Sequence, residues 1–324
     1  MKALVCEGYG PPEAMELRDV PEPEVNDDTV LIKVKATSVN RSDWETLTGS
    51  PFYARMGSGV FSGRSRILGS DVAGRVVAVG RTVTRFRVDD EVFGDLMYHG
   101  GKCFAEYVAV SEKAPIVSKP RTVSFEKVAA LPQTGLIAVQ GLETRGGLQE
   151  GENLLINGAG GGSGTLAIQI AKRFGAEVTG VDNTHKLETM RAAGADHVID
   201  YLSDDYTKQD KRYDRILDLV ASHSVFANRR VLAPGGVYRV VGGPVRRLLS
   251  AATLGQMISM VGEKSLGVLL VSSDREDLEF LAKEVEEHRL DPVIDRIYDL
   301  SETPEALRRL GDNKALGKLV IRVS

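Results

Sequence analysis

The stretch LLINGAGGGSGTLAIQIAKRFGAEVTGVDN, residues 154–183, permits few arrangements. An apolar run ends in a burst of glycines. The next twelve residues then carry Leu166, Ala167, Ile170, Ala171 and Phe174 at helical spacing, on one face. A second apolar run follows and ends in an acid, Asp182. Strand, tight turn, helix and strand in that order make a βαβ unit, and such a unit requires a parallel sheet covered by helices.

The same grammar extends on both sides. From about Phe125 the apolar runs NLLIN, AEVTGV, DHVIDY, YDRILDLV, GGVYRVVGG and LGVLLVS alternate with helical stripes such as KLETMRAAGA. The first third reads differently. TVLIKVKATSV, DVAGRVVAVG and FAEYVAVSEK alternate with β-rich composition, and Gly and Pro punctuate them. The insert PFYARMGSGVFSGRSR has no period and reads as a loop. After Ser272 come an amphipathic helix (DREDLEFLAKEVEEHRL), a strand (VIDRIYDL), a helix with Thr303 as cap before Pro304, and a last strand (KLVIRV). The fold class expected is α/β. A doubly wound parallel sheet of Rossmann type spans 122–272. A mostly antiparallel β domain spans 1–121, and 273–324 returns to it.

Composition narrows the partners. With 324 residues, 42% hydrophobic, 27% charged and a net charge of −4, nothing points to nucleic acid or an anionic membrane. Cys6 and Cys103 alone cannot form a disulfide framework or thiolate cluster. MKALVCEGYG has no apolar signal core, so a cytoplasmic location is expected.

The glycine turn carries the chemistry. Its spacing is Ala159-x-Gly161-x-x-Gly164. Gly161 lets backbone approach a pyrophosphate, and Gly164 lets the helix pack on the strand. The helix start, Gly162 and Ser163, offers free N–H groups and a partial positive charge. A dinucleotide is therefore the expected ligand. Asp182 stands where an acid accepts the adenosine ribose hydroxyls. A 2′-phosphate beside it would meet about 4 kcal/mol of repulsion at ~4 Å and an effective dielectric of ~20. This favours NADH over NADPH, and His185 and Lys186 offset part of the bias.

SVNRSDW, LGSDVAGRVVAVG, DDEVFGD, FAEYVAV, ALPQTGLIAVQGL, INGAGGGSG, GADHVIDY and LGKLVIRV, in that order, resemble the medium-chain dehydrogenase/reductase superfamily. Within it the chain is most similar to the zinc-free, zeta-crystallin-like quinone oxidoreductases, including the reticulon-interacting branch. The resemblance implies a GroES-like β-barrel catalytic domain beside the Rossmann domain. Alcohol dehydrogenases of the superfamily hold zinc where this chain has Asn40, Ser70 and about Ala130, a set that does not supply three good donors. No zinc site is expected.

The resemblance places Asn40 and Asp43 near the nicotinamide and a substrate cleft between the domains. It places Thr134 against the nicotinamide and Ser163 beside its ring. Tyr201 would line the adenosine-phosphate pocket, and Gly242 and Gly243 would pass beneath the nicotinamide. Related enoyl reductases use a tyrosine near the position of Tyr53, which makes it a candidate acid. NADPH is the family precedent, although the Ser and Arg of its Cys-Ser-Thr-Arg-Asn segment are absent from Asp182–Lys186. His99 with Cys103 makes a poor metal pair. His223, His288, Trp44, Arg246 and Arg247 read more simply as structural or surface residues.

The implied function is hydride transfer from NADH or NADPH to quinones or α,β-unsaturated carbonyls. The alternatives are an NAD(P)-dependent alcohol dehydrogenase-like enzyme and a non-catalytic dinucleotide-binding or redox-sensing protein. A homodimer formed through the edge strand LGVLLVS is expected by analogy.

Overall fold

The structure is a computed structural model that describes residues 1–55, 65–144 and 147–323. The central part of the aperiodic insert, 56–64, lies outside the described residues. The chain divides into two compact units, Met1–Thr134 with Ser273–Ser324, and Gly135–Ser272.

The first unit is built on β1 (Lys2–Glu7), β2 (Met15–Asp19), β3 (Thr29–Val39), β4 (Ser65–Ile67), β5 (Asp71–Val79), β6 (Glu91–Asp95), β7 (Tyr107–Ser111) and β8 (Ile116–Ser118). The second contributes β9 (Asn153–Asn157), β10 (Glu177–Asp182), β11 (His197–Asp200), β12 (Tyr213–Asp218), β13 (Leu232–Val240) and β14 (Ser265–Val268). The chain then returns to the first unit with β15 (Ile294–Asp299) and β16 (Lys318–Arg322).

In the first unit β1 pairs antiparallel with β2 and β4. A larger sheet runs β15-β16-β3-β5-β6-β8, with β7 also on β3. Its pairs are antiparallel except β15 with β16. β3 is the organising strand. Its burial pattern is almost continuous, because it packs against the core and also pairs with β5, β7 and β16. Val30, Ile32, Val34, Val72, Val76, Val92, Phe104, Leu319 and Ile321 form one apolar cluster around it.

The second unit is a parallel sheet in the order β11-β10-β9-β12-β13-β14. The order reverses at β9, so the crevice of a doubly wound sheet falls at the carboxyl end of that strand. Four neighbouring strands end there in polar residues: Asn157, Asp182, Asp200 and Asp218. The helix Gly162–Arg173 buries Leu166, Ala167, Ile170 and Ala171 as its stripe predicts.

Two local expectations change. Thr303 is the first residue of the helix Thr303–Gly311 and not its cap. A 3-10 turn at Leu300–Glu302 precedes it, and the Asp299 backbone N–H donates to Glu302 Oε2 at 2.8 Å. This moves the capping box one turn upstream, while the Thr303 hydroxyl donates to Leu300 O at 2.8 Å. The apolar run LGVLLVS is also only partly strand. Pairing with β13 ends at Val268, beyond which Leu269 N–H donates to Val240 O.

Candidate functional site

The glycine turn joins β9 to the helix Gly162–Arg173. Gly161 is the N-cap, extended at φ −91° and ψ −178°, and no side chain caps the helix. The first-turn N–H groups of Gly162, Ser163 and Gly164 therefore have no side-chain acceptor, the state of a helix end built for an anion. The two glycines named from spacing are needed for different reasons. A Cβ on Gly161 would meet only Gly158 O, at 3.7 Å, so the space outside the turn is open. A Cβ on Gly164 would lie 2.5 Å from Ala159 Cα, Ala159 O and Gly158 O, so helix and turn are in backbone contact there. Ala159 is fully buried and supports the turn from beneath.

Asp182 ends β10, as the sequence indicates, but its carboxylate turns back onto the turn. Oδ2 accepts the Gly160 N–H at 3.0 Å and Oδ1 accepts the Asn183 N–H at 2.9 Å. Lys186 Nζ lies 3.6 Å from Oδ1, and both side chains are 5% exposed. The Lys186 stem covers Gly160, where an added Cβ would lie 2.5 Å from Lys186 Cβ. Asp182 and Lys186 therefore form a buried strut across the turn. Tyr201 lies beside this strut. Its N–H donates to Asp182 O at 3.1 Å and its half-exposed side chain faces solvent. Gly242 and Gly243 follow β13, and Gly243 packs on the 220–221 loop after β12. That loop is fixed by Asp218, whose Oδ1 accepts from Asn157 Nδ2 and from the N–H groups of Val220 and Ala221 at 2.8–3.1 Å.

In the first unit Asn40 and Asp43 lie in a buried polar network that extends further than the Asn-x-x-Asp spacing suggests. Asn40 precedes the helix Arg41–Thr48, and its backbone N–H donates to Asp43 Oδ2 at 2.8 Å. The Asn40 side-chain amide donates to Asp71 Oδ2 at 2.8 Å and to Ser70 Oγ at 3.2 Å. Its carbonyl oxygen accepts from Lys318 Nζ. Lys318 also donates to Val39 O at 3.1 Å and pairs with Asp71 at 3.2 Å. Asp71 further accepts from the Ser38 hydroxyl and, at 3.0 Å, from the Gln133 N–H. Asp71 is fully buried and Lys318 is 3% exposed. Asp71 and Lys318 were not singled out from the sequence, and Ser70 was named only as a position that resembles a zinc ligand. The available signal was a lysine on an inward-facing position of the last strand.

Burial pushes the Asp43 carboxyl up to about 7, and nearby Asp71 adds to the effect. Burial likewise pushes Asp95 up to about 6, with Asp71 again contributing. A carboxyl whose pKa rises on folding binds its proton more tightly in the native state. Its stabilisation is fully present below the ordinary carboxylate pKa and is lost as pH rises from there through the folded value. The melting temperature is therefore expected to fall between about pH 4 and 7. Asp43→Asn, which keeps an oxygen for the Asn40 N–H, should flatten much of that decline. An equally steep decline in the variant would remove Asp43 as its source.

Thr134 is in the helix Pro132–Gly141, with its hydroxyl donated to Ala130 O at 2.7 Å. The Tyr53 hydroxyl donates to Glu45 Oε2 at 3.2 Å, and burial with the Glu45 charge pushes its pKa up to about 12. His99 is exposed in a turn while Cys103 is buried. Among the described residues no group of three or more His, Cys, Asp or Glu is placed to hold a metal ion. The positions that resemble zinc ligands present an amide, a hydroxyl and the Ala130 methyl, and the amide oxygen faces the Lys318 ammonium. That donor set does not fit a zinc ion. Also among the described residues, no helix is long and apolar enough to cross a membrane.

The sequence matches the family described as alcohol dehydrogenase GroES-like domain over residues 26–121, and zinc-binding dehydrogenase over 193–321. It is 32% identical to a chloroplast envelope quinone oxidoreductase homolog of Arabidopsis thaliana, covering 99% of this chain and 98% of that protein. It is 31% identical to an NADPH-dependent alkenal/one oxidoreductase of the same plant, covering 99% of this chain and 79% of that one. The quinone oxidoreductase structure from Coxiella burnetii superimposes with a TM-score of 0.87 at 32% identity, covering 100% of this chain and 99% of that one. With sheet order, glycine turn and whole-length similarity in agreement, the chain belongs to the quinone oxidoreductases of the medium-chain dehydrogenase/reductase superfamily, a family that binds NAD(P)H.

Proposed function

We propose that this protein is an NAD(P)H-dependent reductase of quinones or α,β-unsaturated carbonyls that works without a metal ion. The observation that carries the reading is the uncapped helix start behind Gly161, at the carboxyl end of a doubly wound sheet. The residues present fit a dinucleotide. The Gly162, Ser163 and Gly164 N–H groups would hold the pyrophosphate, while Gly242 and Gly243 offer a side-chain-free surface to the nicotinamide half. Tyr201 would border the adenosine end, and Thr134 would pack on the nicotinamide. The bound dihydronicotinamide supplies a hydride. The protein's part is to orient the acceptor, exclude water and meet the charge that develops on its oxygen. Quinones and enones are already electron-poor, so they need no Lewis acid to accept hydride, whereas alcohol oxidation depends on one. The engaged Asn40 amide and the Lys318 ammonium favour the metal-free reading. Stopped-flow oxidation of NADH and NADPH against a panel of quinones and enones tests it. Tight dinucleotide binding with no turnover on any acceptor would instead support a non-catalytic role.

Discrimination between NADH and NADPH is proposed to be small, below about tenfold. Lys186 and two backbone N–H groups compensate the Asp182 charge, which weakens the repulsion expected from an unpaired acid. Asp182→Ser should therefore weaken both dinucleotides by roughly tenfold, the cost of about one charge-assisted hydrogen bond to the turn. Calorimetric titration checks this. A selective gain for NADPH would assign Asp182 the discriminating role instead.

The dimer is proposed to form through β14. This strand is the last in its sheet order, beside β13, where an edge offers pairing to a second copy, and the Ser259 hydroxyl holds its Leu266 N–H and carbonyl. Met260, Val261 and Leu270 close by are 85%, 89% and 87% exposed. Met260→Asp with Val261→Asp should convert a dimer into a monomer by light scattering. A monomeric wild type would refute the proposal.

A further inference from the structure

We propose that Asp200, held by the Thr184 hydroxyl, is the carboxylate that meets the adenosine ribose in place of Asp182, and that Asp200 and His185 act with opposite sign on a 2′-phosphate there. The inference rests on the dinucleotide site proposed above and concerns the second unit alone.

In a doubly wound sheet the adenosine ribose is met by an acid at the end of the strand that follows the glycine turn and its helix. Here that strand is β10, and its acid is committed elsewhere. Asp182 is 4% exposed, and its two oxygens accept the Gly160 and Asn183 N–H groups. Lys186 offsets its charge. The neighbouring strand ends level with it. β11 pairs parallel with β10, and Asp200 stands opposite Asp182 in that register. Adjacent strands lie about 4.8 Å apart, so both acids belong to one rim of the sheet. Asp182 is buried there, whereas Asp200 is only half-buried, and Thr184, His185 and Tyr201 on the same rim are exposed.

Asp200 joins the two loops of this rim. Its Oδ2 accepts the Thr184 hydroxyl from the loop after β10, and its Oδ1 accepts the Leu202 N–H at 3.0 Å. The Thr184 hydroxyl and then the Leu202 N–H hold its carboxyl below the usual carboxylate range, and the nearby His185 ring adds to the effect. No lysine or arginine contributes among the described residues, in contrast to Lys186 at Asp182. A carboxylate has about four lone-pair sites, so acceptor capacity remains for the ribose hydroxyls of NADH. A 2′-phosphate carries nearly two negative charges and would meet a like charge at Asp200. The exposed His185 imidazole offers that phosphate an N–H donor. The two residues pull in opposite directions, and the small discrimination proposed above is their balance.

Calorimetric titration of 5′-AMP against 2′,5′-ADP, and of NADH against NADPH, tests the proposal without turnover. Asp200→Asn removes the charge and keeps an oxygen for the Thr184 hydroxyl. It should shift the preference toward the 2′-phosphorylated member of each pair by about tenfold, with 5′-AMP and NADH within about threefold of wild type. His185→Ala should shift the preference the other way, by about threefold. An unchanged ratio in either variant would overturn the opposing pair. So would an equal gain for NADPH in Asp182→Ser, which would return the role to Asp182. A parallel loss of every ligand in Asp200→Asn, with a lower melting temperature, would mark Asp200 as structural. A wild type that binds neither dinucleotide would instead overturn the dinucleotide site itself.

Discussion

Gly161→Ala and Gly164→Ala are expected to fail in opposite ways. At Gly161 the added methyl meets nothing closer than Gly158 O at 3.7 Å, and the extended backbone suits alanine. The variant should melt within about 2 °C of wild type, since surface changes of this kind are usually within about 0.5 kcal/mol. Its methyl occupies the space through which a pyrophosphate would approach, so dinucleotide affinity should fall roughly 100-fold, about 3 kcal/mol. At Gly164 the methyl would lie 2.5 Å from three backbone atoms of residues 158 and 159. Backbone cannot rotate away as a side chain can, so the helix must lift off the turn. The expected cost is roughly 1–3 kcal/mol of stability, the range for overpacking, with dinucleotide affinity lost as well. Thermal melts with calorimetric titration separate the two. Equal destabilisation of both variants would contradict the division of labour between these glycines.

Lys318→Met is expected to be the most destabilising single change in the first unit. Removing one partner of a buried ion pair leaves the other charge uncompensated, at about 3–5 kcal/mol. Here that charge is Asp71, fully buried and still facing Asp43 and Asp95. The melting temperature should fall by roughly 10 °C. Asp71→Asn in the same chain removes the orphaned charge, so the double variant should lose less than the two single variants summed. Additive losses would mean that the two residues do not act as a pair.

The sequence makes plain whatever is local. The glycine turn and the stripe of the helix Gly162–Arg173 are patterns within one element, and the structure places both as read, whereas β3 is a strand as read but is buried almost continuously instead of alternating. The acid at Asp182 was located by spacing, but spacing carries no information about where a carboxylate points. Its turn toward the Gly160 N–H follows from a contact across 22 residues. The Asn40 network lies further still from local pattern. Its lysine is 278 residues away along the chain and reaches Asn40 because β16 pairs with β3. Family resemblance singled out Asn40 and Asp43. Ser70, Asp71 and Lys318 stood in matching segments without assigned roles, and the contacts of the folded chain are what bring them forward. The shift of the helix start near Thr303 has a more ordinary cause. Thr-Pro is a sound helix start by itself, and Asp299 with Glu302 makes a competing one just upstream.

The most direct test is quinone-dependent oxidation of NADPH and NADH by protein stripped with a chelator and verified metal-free by mass spectrometry. Hydride transfer at the full untreated rate with at least one dinucleotide, and a rate lower by up to roughly 100-fold in Gly161→Ala at the same subsaturating cofactor concentration, is the predicted result. A rate that disappears with the chelator and returns on adding zinc would contradict the account.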